Sequence, residues 1–320
     1  MITNRTVEAN GIRFYIQEAG EGPLVILCHG FPETSHSWRH QLRALADAGF
    51  HAVAPDMRGY GRTDRPEAIE DYTIFHLSGD VIGLIGALGE KQAIVVGHDW
   101  GAAVAWHVAL FRPDLCRAVV AMSVPFQPRN PSKAPIPTFK AITKAKGLAD
   151  FYMVRFQEQG IEAGFERDLD RTVRAYLYGL SGDVPKDKAW SPFVPASEVG
   201  LSKLPVPDRL PPWISDSDVQ TYVEAFRLSG FRGPLNWYRN LDRNWALMAP
   251  FDGLKIVPPA LFITGTEDPV RPFAGAAEAR LAERVPNLRG TVELKGAGHW
   301  VQQEAPDAVN AALLDFIAAT

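Results

Sequence analysis

The chain has 320 residues, enough for one large domain that carries an insertion. A hydrophobic fraction of 46% and a charged fraction of 22% describe a globular protein, and a formal net charge of −4 gives no strong field toward nucleic acid or an anionic membrane. Two cysteines, Cys28 and Cys116, each beside an apolar run, exclude a disulfide framework and a cysteine zinc site.

Residues 1–5 lack the apolar stretch of a secretory signal, and no run approaches ~20 apolar residues, so a cytoplasmic protein without a membrane span is expected. The Asn4-Arg5-Thr6 triplet then reads as a chance match to a glycosylation acceptor. The basic stretch 129–146 (Arg129, Lys133, Lys140, Lys144, Lys146) reads as a solvated face.

In chain order, residues 6–9 and 12–19 form a predicted hairpin turned by Asn10-Gly11. Residues 24–28 are wholly apolar, as in a strand buried on both faces. A helix over 37–48 ends at Gly49, and a strand follows at 51–55. Helix 75–88 stops at Gly89, and strand 93–96, helix 101–111 and strand 116–124 follow. From 125 to 247 the pattern breaks. Helical pieces are expected at 139–146, 151–159, 169–178, 216–228 and 235–247, with 181–212 a proline-rich loop ordered over the surface. Alternation resumes with strand 260–264, helix 274–284, strand 291–294 and helix 305–318. The expected fold is α/β, with a doubly wound, mostly parallel sheet in a core of 1–127 and 248–320 and a mainly helical cap over 128–247.

The sharpest motif is Gly97-His98-Asp99-Trp100-Gly101, after an apolar strand and before a helix that opens on small residues. This is the setting of a nucleophile elbow, with Asp99 at a tip of positive φ and glycines where strand and helix approach. The motif usually carries serine at the tip, and the carboxylate changes the chemistry. Attack on an sp³ carbon by serine would leave a stable ether, whereas Asp99 would leave an ester that water can cleave. Asp99 therefore points to an alkylating substrate, an epoxide or an alkyl halide.

Gly296-Ala297-Gly298-His299-Trp300 follows the last strand, where this fold places its base, and His299 would activate water against the ester. The orienting acid comes from Gly265-Thr266-Glu267-Asp268-Pro269: Asp268 is the choice and Glu267 the alternative. His29 and His98 lie beside motif positions but fit no base role. In Leu27-Cys28-His29-Gly30-Phe31-Pro32, the Phe31 amide, with that of Trp100, would form the oxyanion hole. The isomer of the Phe31-Pro32 bond stays open.

These residues resemble the α/β-hydrolase epoxide hydrolases, the soluble plant, bacterial and mammalian type. The matching segments run through most of the chain. They are His29 to Glu33 with Ser37-Trp38-Arg39, Asp56 to Gly61, Gly97 to Gly101, Ser123 to Phe126 and Gly298-His299-Trp300, with Phe156-Gln157-Glu158 and Leu235 to Asn240 in the cap. The resemblance implies that Tyr238 and Tyr152 donate hydrogen bonds to the epoxide oxygen, and that Phe31, Pro32, Trp100 and Trp237 line the substrate site. It implies a detoxifying enzyme that acts on a small epoxide and water with no cofactor or metal, and it leaves a homo-oligomer open. A haloalkane or haloacid dehalogenase shares the triad. However, Phe31 stands where many dehalogenases place asparagine, and the paired tyrosines would have no use. A non-catalytic receptor on the same fold would normally have lost or buried a triad member.

Overall fold

The computed structural model describes residues 1–195 and 204–320. Strands β1 (Thr3–Ala9) and β2 (Ile12–Ala19) form the expected hairpin, with Asn10 at φ 50° and Gly11 at φ 72°, the doubly positive pair of a tight hairpin turn. Then come β3 (Leu24–Cys28), β4 (His51–Pro55), β5 (Ala93–His98) and β6 (Cys116–Met122). The last four are β7 (Asp150–Phe151), β8 (Phe193–Val194), β9 (Ala260–Gly265) and β10 (Leu288–Leu294).

Eight strands form one sheet in the order β1-β2-β4-β3-β5-β6-β9-β10. Pairs β1/β2 and β2/β4 are antiparallel, and the others are parallel. Strands β3, β5 and β9 are buried along their whole length because helices cover both faces. Alternation assigns the faces: Ile26 and Val95 pack with helices Ile74–Ala87 and Trp100–Phe111, whereas Val25 and Ile94 pack with helices Arg39–Asp47 and Pro306–Ala318. From β3 the chain passes to β4 on one side, and it then returns to β5 on the other. The crevice at this switch point, beyond the carboxyl ends of the strands, is where open α/β sheets bind ligands.

Between β6 and β9 the chain is mainly helical, with differences from the sequence expectation. The helix expected at 151–159 is one turn, Tyr152–Arg155, and that expected at 235–247 is two, Arg232–Arg239 and Leu241–Leu247. The break falls at Asn240, whose side-chain amide donates to Ile69 O (2.5 Å) and Asn236 O (2.9 Å) and so ties the break to the core. Likewise 274–284 divides into Arg271–Ala279 and Leu281–Arg284. The short β7–β8 ladder was not expected. The loop expected at 181–212 is not confined to the surface, since Ser181, Val194 and Leu204 are buried; its residues 196–203 lie outside the described residues.

Candidate active site

Asp99 sits between β5 and helix Trp100–Phe111 at φ 53°, ψ −118°, a backbone held by its surroundings. The glycines explain how. A Cβ on Gly97 would lie 2.0 Å from Gly101 O, and one on Gly101 would lie 2.0 Å from Cys28 O. One on Gly30 would lie 2.5 Å from Asp99 Oδ1. The Phe31 amide donates to Asp99 Oδ1 at 2.8 Å, and the Phe31-Pro32 bond is cis. The Asp99 side chain does not cap its own helix.

On the other side of Asp99 lies His299. Its Nε2 is 3.6 Å from Asp99 Oδ2, an ion-pair contact too long for a hydrogen bond. Its Nδ1 meets both oxygens of Asp268 at 3.1 Å. Asp268 is buried, and Glu267 is exposed and takes no part. Burial alone would raise the Asp99 carboxyl, but His299, the electrostatic influence of His98 and the Phe31 amide bring it below the ordinary carboxylate range. Burial works against a charged His299, but Asp268 on one side and Asp99 on the other hold its pKa well above the ordinary histidine value. The His299 ring lies between two carboxylates.

The two tyrosines come from separate elements of the helical segment. Tyr238, on helix Arg232–Arg239, is 3% exposed, and its ring stands nearly perpendicular to those of Phe31 (5.3 Å), Trp100 (5.2 Å) and Phe156 (4.9 Å). Tyr152 opens the turn Tyr152–Arg155 and packs on Phe156 (5.3 Å) and Trp190 (5.4 Å), 6.1 Å from the Tyr238 ring. Burial first, then the charge of Asp99, pushes both phenols above their ordinary pKa. Both phenols are neutral at physiological pH, and neither pKa shift has a hydrogen-bonding partner among its causes.

Trp237 lies beside Trp100, deeper than Tyr238. It is 0% exposed, its indole N–H donates to Arg58 O at 3.1 Å, and its ring packs against Tyr60 and Trp100. Consecutive helical residues point about 100° apart, so Trp237 and Tyr238 present different directions, and both rings contact Trp100.

Sequence reasoning missed what holds His299. His98 is wholly buried; its Nε2 donates to His299 O at 2.8 Å, and its Nδ1 faces Glu33 Oε2 at 2.8 Å. The Ser123 hydroxyl donates to the same His299 carbonyl at 2.8 Å. Gln302 and Gln303 donate to Glu33 Oε1, both at 2.9 Å. The only signal was that Glu33, His98 and Ser123 stand inside the family-like motifs. Among the described residues, no group of three or more histidine, cysteine, aspartate or glutamate side chains could hold a metal ion.

The chain matches the family described as alpha/beta hydrolase fold over residues 23–306. It is 46% identical over 318 residues to epoxide hydrolase A of Mycobacterium tuberculosis, with 98% of this chain and 97% of that protein covered. It is 42% identical over 320 residues to epoxide hydrolase 3 of Siraitia grosvenorii, with 99% and 98% covered. The crystal structure of epoxide hydrolase A from Mycobacterium thermoresistibile aligns with a TM-score of 0.92 at 45% identity, covering 99% of this chain and 98% of that one. With a nucleophile elbow at its switch point and relatives of this kind along its whole length, the chain belongs to the α/β-hydrolase fold family and, within it, to the epoxide hydrolases.

Proposed function

We propose that the enzyme converts epoxides to vicinal diols through a covalent ester on Asp99, with 128–247 acting as a cap that brings two phenols over a core of 1–127 and 248–320. The observation that carries this reading is the pairing of a carboxylate at the elbow tip with two phenols from the helical segment, the buried Tyr238 packed on Phe31 and Trp100 and the half-buried Tyr152 with its ring 6.1 Å from that of Tyr238. Asp99 Oδ2 attacks one epoxide carbon and that C–O bond breaks. The leaving oxygen takes a proton from the Tyr238–Tyr152 pair. An alkoxide is a poor leaving group, so donation as the charge develops lowers the barrier.

Ester formation consumes the charge on Asp99, and His299 then keeps one carboxylate neighbour out of two. Its pKa falls, and its proton returns to the phenolate. Neutral His299 takes a proton from water, and the water oxygen attacks the ester carbonyl carbon. Asp99 Oδ1, already held by the Phe31 amide, becomes the oxyanion, with the Trp100 amide as second donor. Collapse releases the diol and restores the imidazolium between two carboxylates, so the net reaction is epoxide plus water to diol. Halide leaves without a proton, so a dehalogenase would have no use for the paired phenols. Incubation with a styrene-type epoxide and with a bromoalkane tests the reading: diol from the first is expected, and bromide from the second without diol from the first would overturn it.

A further inference from the structure

Three consecutive amides carry the base. The Gly298 N–H donates to Glu304 Oε2 (2.8 Å), the His299 N–H to Leu180 O (2.9 Å) and the Trp300 N–H to Glu304 Oε1 (2.9 Å). The Gly182 N–H also donates to Glu304 Oε2, at 2.9 Å. One carboxylate therefore gathers amides from both sides of His299 and from the segment that follows helix Leu169–Gly179. The Trp300 indole adds a bond to Leu177 O at 2.7 Å.

The two backbones touch here. A Cβ on Gly298 would lie 2.2 Å from Gly182 N, and one on Gly182 would lie 2.0 Å from Gly296 O. Glycine permits that approach, and the Glu304 side chain closes the remaining gap. Burial pushes its carboxyl up to about 7 while the three amides pull it down and Asp183 adds to the rise. No cation figures among the influences on it, so its retention rests on the amides.

We propose that Glu304 is the positioning residue of the base: it ties the His299 loop to the 180–182 segment, and hydrolysis of the ester depends on it while formation of the ester does not. The separation follows from which elements hold which groups. Asp99 is held by the elbow glycines and the Phe31 amide, and the phenols by rings around Phe156. None of these uses the 298–300 amides. His299 does, and its Nε2 must aim at a water beside Asp99. The proposal rests on His299 being the hydrolytic base.

The test compares full-length Glu304→Ala and Glu304→Gln with the wild type in rapid-mixing single turnovers of a styrene-type epoxide, read by intact-protein mass spectrometry. In Glu304→Ala, ester hydrolysis should slow by about 10- to 100-fold, the scale of a misplaced catalytic group, with alkylation within about threefold of the wild type. The ester then accumulates, and KM falls together with kcat. Glu304→Gln keeps one acceptor oxygen and sets an amide NH₂ against a backbone N–H, so its defect should lie between. If the alanine variant does not fold, the glutamine variant decides on the same ratio of steps. Equal slowing of both steps, or unchanged hydrolysis, would overturn the proposal. His299→Gln is the control. An absence of adduct there sinks the reading of His299; adduct there with none in the Glu304 variants sinks the Glu304 assignment alone.

Discussion

The two halves of the site are held by different forces. Asp99, His299 and Asp268 stand at strand ends, fixed by backbone contacts near 2 Å from where a side chain would begin and by buried hydrogen bonds of 2.8–3.1 Å. Tyr238 and Tyr152 are held by ring packing around Phe156, with centroids 4.9 and 5.3 Å away. Hydrogen bonds and steric exclusion define a position sharply, whereas ring packing tolerates a neighbour of similar volume. On the proposed mechanism, the half that forms and breaks the covalent bond is the more sharply positioned one, and the half that supplies the phenols is the one that can be repacked.

The largest effects should come from the covalent half. Asp99→Asn should lower steady turnover by about 10⁴-fold or more, read at early times before the amide can deamidate. Full initial activity would remove Asp99 from the mechanism. His299→Gln should leave a covalent adduct of one substrate mass on the folded protein, seen by mass spectrometry.

The phenol half should give a smaller and divided loss. Tyr238→Phe and Tyr152→Phe should each slow ring opening by about 100-fold or less, since two donors to one oxygen partly compensate. The double variant should be nearly inactive and still folded. A double variant that opens epoxides at the wild-type rate would show that the activating proton comes from elsewhere.

A matched pair sharpens the contrast. Gly30→Ala adds one methyl 2.5 Å from Asp99 Oδ1 and should cost about 100-fold in alkylation. Phe156→Leu removes a ring on which both tyrosines pack, yet it should cost under about tenfold in rate and about 1.5 kcal/mol in stability. Rate measurements and thermal melts on the two variants check this; the reverse ranking would contradict the division.

The smallest effect concerns the seam between the halves. Burial would raise the Asp218 carboxyl, but Ser215, His36 and Arg39 hold it at about 2. Its folded pKa lies below its unfolded value. The stability it contributes is therefore present above about pH 4 and lost as pH falls through about 2. Asp218→Asn should flatten the acid limb of a melting-temperature profile between pH 5 and 2, by about 1 kcal/mol once solvent screening is allowed for.

The elbow was legible in the sequence because Gly97 and Gly101 are where backbone meets backbone, and only glycine fits. The hairpin was legible for a similar reason, through the positive φ angles of Asn10 and Gly11. The choice between Asp268 and Glu267 needed coordinates, since adjacent residues at a turn face opposite ways and only Asp268 is buried against the imidazole. The bond from the Trp237 indole to Arg58 O was not legible either, since the motif that joins Trp237 to Tyr238 says nothing of where the helix turns each ring. The network of Glu33, His98 and Gln302, and the Glu304–Gly182 bond, join residues far apart in the chain. No periodicity or spacing encodes such pairs.

The central claim is a covalent bond between Asp99 and the substrate, and the origin of the product oxygen tests it most directly. In a single turnover with excess enzyme in ¹⁸O-water, water attacks the ester carbonyl, so one oxygen of Asp99 leaves in the first diol. That diol should be mostly unlabelled, with the label in the peptide that contains Asp99. A first diol that carries the label, beside an unlabelled Asp99, would mean that water attacks the epoxide directly and would contradict the account.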